Sequence, residues 1–160
     1  MSQTRFINPQ TLGKPPGYTH VVEVTAPGRI VYIAGQLGVD RDGKVVGDFQ
    51  RQAVQTFENL KTALAAVGAQ FRHVVKLNNY LVDRADLPTF REVRDSYLAE
   101  NDRPASTTIA ISGLAREGAL IEIEAVAVLP AAARAKAASK AAGKGRTARS
   151  PRRRARAKRR

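Results

Sequence analysis

The segment Leu120 to Val128, LIEIEAVAV, alternates along its length, and no other feature of the chain restricts its fold as tightly. A period of two does not fit a helix, and it sorts side chains onto two faces of a strand. Ile121, Ile123, Ala125 and Ala127 project to one side, while Glu122 and Glu124 share the other. Two ionised carboxylates so placed stand about 7 Å apart, near enough to feel each other without sharing a proton. The apolar face therefore needs a cover, and the acidic face is either wet or functional. Just upstream, Ser106–Ser112 is short and β-branched and Gly113–Gly118 carries turn residues, so the stretch from Arg103 to Val128 reads as an antiparallel strand pair.

The cover is legible in two periodic segments. Asp48 can cap a helix running to about Val67, with Gly68 as its terminator. Phe49, Ala53, Phe57, Leu60, Leu64 and Val67 form its apolar stripe at steps of four and three, with Arg51, Gln52, Glu58 and Lys61 outside that set. A second helix starts at Asp86 and Pro88 and runs to about Asn101, burying Phe90, Val93, Tyr97 and Leu98. Between the helices, Phe71–Val82 is a strand apolar on both faces near its middle, hence central, and Asn78 and Asn79 within it must find partners.

Before the first helix, residues 1–17 read as an irregular arm rich in proline and glycine. His20–Val24 and Arg29–Ala34 are β-rich runs joined by Ala-Pro-Gly and look like a hairpin, followed by a loop from Gln36 to Gly47. The element order is thus two or three strands, helix, strand, helix, two strands: an α+β layer in which two helices pack on one face of a mixed sheet of about six strands. The face that carries Glu122 and Glu124 is left without a helix. Its natural cover is another copy of the chain, so a homo-oligomer is expected.

At 160 residues there is room for one domain of ordinary size. The chain has no cysteine, which removes disulfides, thiolate nucleophiles and cysteine-ligated metals, and its two histidines, His20 and His73, are far apart. Both read as structural histidines on strands. No apolar run is long enough to span a membrane and the N-terminal residues lack the apolar core of a signal peptide, which points to a cytoplasmic protein. The net charge of +13 is local. Of 27 Lys and Arg, 13 fall in residues 131–160, which hold no Asp or Glu; the remaining 14 are matched by all 14 acidic residues upstream. The reading is a neutral domain over 1–130 and a disordered, self-repelling Ala/Lys/Arg-rich tail over 131–160.

With these elements in place, four segments resemble the Rid/YjgF family of reactive intermediate deaminases: Gly17–His20 (GYTH), IAGQLGVD after the second strand, RPAST from Arg103, and IEIEAVAV at the end. The resemblance covers about Tyr18 to Val128. It implies a chorismate-mutase-like α+β fold, a cytosolic homotrimer with clefts between subunits, and hydrolysis of enamines and imines to the keto acid and ammonia with no metal or organic cofactor. Physically the task is to hold a water against an electrophilic C=N carbon and to move protons. The resemblance gives the proton-carrying role to Glu122, puts Tyr18 in the cleft lining and sets Gly35 at its border. It also exposes a departure: the family's Pro-Ala is followed by an arginine that grips the substrate carboxylate, and here Ser106 stands in that place. A serine has neither the charge nor the fork. A position in the second helix that is commonly asparagine is Arg94. Arg94, Arg103 and Arg116 are candidates to take over, and Ser106 and Thr108 offer hydroxyls to a polar ligand.

Each of these residues has a plainer reading. Glu122 and Glu124 can be wet-face strand residues, Gly35 a turn glycine, Tyr18 an aromatic plug at a sheet edge, and Ser106 and Thr108 ordinary strand residues. Two further functions stay open beside an altered Rid-like deaminase: a non-catalytic trimer that binds a small metabolite, and a scaffold whose basic tail binds nucleic acid through its phosphates.

Overall fold

In the computed structural model, which describes residues 3–131, the alternating segment becomes β6 (Ile121–Leu129), an inner strand of a four-stranded sheet. Its neighbours are β3 (Arg29–Leu37) and β4 (Val74–Leu81), both antiparallel to it, and β5 (Ala105–Ala110) pairs with β4 in parallel. The order across the sheet is β3-β6-β4-β5. Ile121, Ile123, Ala125 and Ala127 are buried as the alternation requires. Among the described residues no helix is long and apolar enough to cross a membrane. The basic segment expected to be a disordered tail lies, from residue 132 onward, outside the described residues.

Helix α1 (Phe49–Ala65) begins at Asp48, whose side chain accepts a hydrogen bond from the Arg51 amide (3.0 Å), and it lies against β3 and β6. Its phenylalanine Phe57 is fully buried at the centre of an aromatic cluster with Phe71, Phe90 and Tyr97 at ring separations of 6.0, 6.4 and 4.9 Å. Replacing such a ring by alanine costs about 3–5 kcal/mol. Helix α2 (Leu87–Tyr97) follows a short 3-10 turn at Arg84–Asp86 and contributes Phe90 and Val93 to the same core. It stops at Tyr97 instead of reaching Asn101, because Leu98 is already extended (φ −101°, ψ 139°).

Several expectations are corrected. β5 and β6 are not an antiparallel pair: β4 lies between them, since the chain reaches β5 from β4 through α2, a crossover long enough for parallel pairing. β2 (Val21–Thr25) does not form a hairpin with β3. It pairs antiparallel with β1 (Gln3–Ile7), a strand inside the arm read as irregular, so the six strands divide into a two-stranded and a four-stranded sheet. The turn between β2 and β3 holds Ala26 at φ 50°, and β3 leaves it to pair with the distant β6. Gln52 is buried, not outside the stripe. Its amide donates to the Gly118 carbonyl (3.1 Å) and accepts from the Leu120 amide (2.8 Å), which fastens α1 to the start of β6. His20 and His73 lie just before β2 and β4 and not within them.

Residues paired across strands share a face, so the register assigns every side chain of the sheet. Leu77, Asn79 and Leu81 point toward the helices with Ile121 and Ile123. The other face carries Lys76, Asn78, Tyr80, Glu122, Glu124 and, on β3, Ile30 and Tyr32, which are 50% and 79% exposed. No described element covers it.

Candidate functional site

The predicted site residues fall into two groups. The first lies on the open sheet face. Between the pairs Ile33–Ala125 and Gln36–Ile123 the register of β3 shifts, and Ala34 and Gly35 together stand opposite Glu124 in a bulge. The bulge brings the Gly35 backbone against Glu122, so that a β-carbon at Gly35 would lie 1.7 Å from Glu122 Oε1. Gly35 is therefore glycine because of a close approach and not because of a turn, and its backbone has no positive φ. The two glutamates differ in their partners. Glu124 accepts from Asn78 Nδ2 (3.2 Å) and from the Tyr80 hydroxyl (3.2 Å), and burial together with that carboxylate pushes the Tyr80 phenol upward. Glu122 makes no side-chain hydrogen bond or ion pair among the described residues, so one carboxylate is committed to structure and the other has no partner there.

The second group lies on the opposite side of the sheet, at its β5 edge. A cavity of about 430 Å³ is lined by Tyr18, Arg94, Ser106 and Thr108, four of the five predicted substrate-binding residues. Ser106 and Thr108 pair with Leu77 and Asn79 of β4 and share their helix-side face, so neither points to Glu122. Asn79 is buried beneath them. Its Nδ2 donates to Ser106 Oγ (2.9 Å), the Thr107 carbonyl (2.9 Å) and Thr108 Oγ1 (3.1 Å), while Oδ1 has no partner. Reversing the amide would set Oδ1 against the Thr107 carbonyl, which fixes this orientation. The two N–H groups are shared among these three acceptors, and a hydroxyl that accepts from Asn79 keeps its own proton for a ligand.

Tyr18 reaches this edge because the preceding loop is bonded along β5. The Thr19 amide donates to the Pro104 carbonyl (3.2 Å), and the Tyr18 ring meets His20 edge-on at 5.3 Å. Beneath the loop, Arg94 is 4% exposed and shares Asp95 with Arg103. Burial alone would raise Asp95, but its bonds to Arg103 and Arg94 outweigh burial and hold it below the usual carboxylate range. Gly17 adopts φ +90°, and a β-carbon there would stand 2.1 Å from Arg94 Nη2, so this guanidinium also serves as the floor under Tyr18. Arg116 does not line this cavity, and it bonds the Gly43 carbonyl in the loop after β3.

The family model for Endoribonuclease L-PSP matches residues 12–129. The chain belongs to this family, the Rid/YjgF proteins. It is 38% identical over 113 residues to Protein DfrA of Myxococcus xanthus, covering 69% of this chain and 84% of that protein. It is 31% identical over 132 residues to the 2-iminobutanoate/2-iminopropanoate deaminase of Dermatophagoides farinae, covering 81% and 99%. The crystal structure of the Rid protein YyfB from Yersinia pestis superposes with a TM-score of 0.72 at 36% identity, covering 79% of this chain and 98% of that one. The α+β, chorismate-mutase-like fold is that of these Rid-family relatives.

Sequence reasoning did not assign three residues at this edge of the sheet: Asn79, beneath the hydroxyls, and Arg84 and Arg91, in the cavity lining. Asn79 was noticed only as an amide in need of partners. The signal for Arg84 and Arg91 was present in the spacing: Arg84, Leu87, Arg91 and Arg94 recur at steps of three, four and three, one stripe of the 3-10 turn and α2. Leu87, the apolar member of that stripe, packs on the core.

Proposed function

We propose that the protein hydrolyses reactive imines and enamines to the keto compound and ammonia, in a cleft formed where copies of the chain meet. The observation that carries this reading is the Glu122 carboxylate, without a partner among the described residues and held against Gly35 on a sheet face that no described element covers. Within one chain the Glu122 face and the cavity of Tyr18, Arg94, Ser106 and Thr108 are turned away from each other. A site that uses both therefore needs two copies, and the uncovered Ile30 and Tyr32 supply apolar surface for such a contact. A trimer provides three equivalent clefts, as the family resemblance implies.

In this reading Glu122 takes a proton from the attacking water as oxygen bonds to the C=N carbon and returns it to nitrogen, giving a carbinolamine; it then carries the hydroxyl proton to the same nitrogen, so that the C–N bond breaks, ammonia leaves and the carbonyl forms. General acid–base catalysis of this kind contributes about 10²–10⁴-fold. Tyr18 and the two hydroxyls orient the substrate from the adjoining copy. The similarity to an iminobutanoate/iminopropanoate deaminase supports the reaction class. The test couples a dehydratase to the purified protein and follows imine decay. Glu122→Gln is expected to lose about 10²-fold or more in kcat/KM; a variant equal to wild type on every imine tried overturns the assignment.

A second role is favoured by the charge distribution. The family match ends at residue 129, and beyond it residues 131–160 carry 13 Lys or Arg and no acidic residue. We infer that this segment binds nucleic acid through phosphate neutralisation without reading bases, and that an oligomer would add the contacts of several copies.

A further inference from the structure

We infer that the cavity beside β5 is a two-point anion site, in which Arg91 and Arg84 of the α2 stripe replace the guanidinium that Ser106 lacks, and that it selects imino acids bearing a second carboxylate. This rests on the proposal that the cavity is the substrate end of the catalytic cleft. Its lining holds three guanidiniums, from Arg84, Arg91 and Arg94, and no carboxylate. Only Arg94 is engaged, with Asp95, and that carboxylate is divided between Arg94 and Arg103. Arg84 and Arg91 make no ion pair or side-chain hydrogen bond among the described residues, although Asp83, Asp86 and Glu92 lie on the same run of chain. Like charges gathered on one stripe repel, and a bound anion relieves that repulsion.

The strand opposite supplies matching donors. A hydroxyl of Ser106 or Thr108 that accepts from Asn79 Nδ2 keeps its own proton for a ligand in the cavity. A carboxylate set between Arg91 and these hydroxyls meets charge from the helix and hydrogen bonds from the strand. Arg84 stands seven residues before Arg91, in the 3-10 turn that leads into α2. From that separate position it can meet an acidic group at the other end of a short side chain. A cavity of about 430 Å³ accommodates a small dicarboxylate.

The experiment titrates the full chain calorimetrically with 2-oxoglutarate and with 2-oxobutanoate, a dicarboxylate and a monocarboxylate keto acid, in low salt. Wild type is expected to bind 2-oxoglutarate roughly tenfold or more tightly than 2-oxobutanoate. Arg84→Gln should erase that preference by weakening only 2-oxoglutarate, whereas Arg91→Gln should weaken both by roughly tenfold and Arg91→Lys recover part of the loss. Arg84 and Arg91 are exposed, and thermal melts establish that the variants are folded. Equal affinity for the two acids, or an Arg84→Gln variant that keeps the preference, overturns the inference. Since no imine is present, the titration reads the anion site alone: binding as expected, with no imine decay in the separate dehydratase-coupled assay, would sink the deaminase reading and leave the anion site standing.

Discussion

Gly35→Ala is the substitution that most directly probes the union of the β3 bulge with Glu122. The added β-carbon would stand 1.7 Å from Glu122 Oε1, 2.7 Å from Cδ and 2.9 Å from Cγ. Carbon and oxygen in ordinary contact are about 3.5 Å apart, so the carboxylate must retreat by roughly 2 Å. Gly35 has no positive φ, which leaves the contact as the source of the effect. The group displaced is the far end of a side chain, which can turn at a cost of about 1 kcal/mol, seen as a Tm lower by about 4 °C. Activity is more sensitive, because a misplacement of about 1 Å in a reacting group costs about 10²-fold. Gly35→Ala should therefore lose about 10²-fold in kcat/KM for imine hydrolysis while remaining folded. In a Glu122→Ala background the same change should cost no stability, since nothing is left to displace. Full activity in Gly35→Ala, or an equal loss of Tm in both backgrounds, would refute the argument.

Four further outcomes follow from named contacts. Gly17→Ala should destabilise by about 2 kcal/mol in a denaturant titration, because φ +90° and the buried Arg94 guanidinium both oppose a side chain there. Asp95→Asn leaves Arg94 buried without its counter-ion and should cost about 2 kcal/mol, below the range for a fully buried pair because Asp95 is half exposed. The Tyr97 phenol, pushed up to about 12 by burial and by its bond to Glu58, favours the folded state in its protonated form. That stability is full below the ordinary tyrosine value of 10.0 and disappears as pH rises through about 12, so Tyr97→Phe should flatten the alkaline limb of a stability profile between those values. Nucleic-acid binding by the full chain should fall steeply between 50 and 200 mM salt, by about 10³-fold or more if six phosphates are neutralised, and a chain ending at Pro130 should lose it.

Local chemistry explains which features could be read in advance. Asp48 and Gly68 bracket α1 because capping and a left-handed terminator act within one turn. The faces of β6 follow from alternation alone, which separates Glu122 from the core without reference to a partner strand. What failed was pairing. Ser106–Ser112 has strand propensity that says nothing about its neighbour, and parallel pairing with β4 arises only when α2 packs and returns the chain. Gln52 failed for a related reason: its amide looks like a surface group until the Gly118 carbonyl and Leu120 amide arrive from 66 and 68 residues away.

The sequence by itself determined five of the six strands, the two amphipathic helices, the two carboxylates on a face with no helix to cover it, and the concentration of charge beyond residue 130, because propensity, periodicity and composition belong to short stretches of chain. Only the tertiary structure decided that Glu122 meets Gly35 at a bulge, that Ser106 and Thr108 face away from it, and that Arg84, Arg91 and Arg94 line one cavity with those two residues. Those relations join residues dozens of positions apart, and long-range packing of helix on sheet is what brings them together.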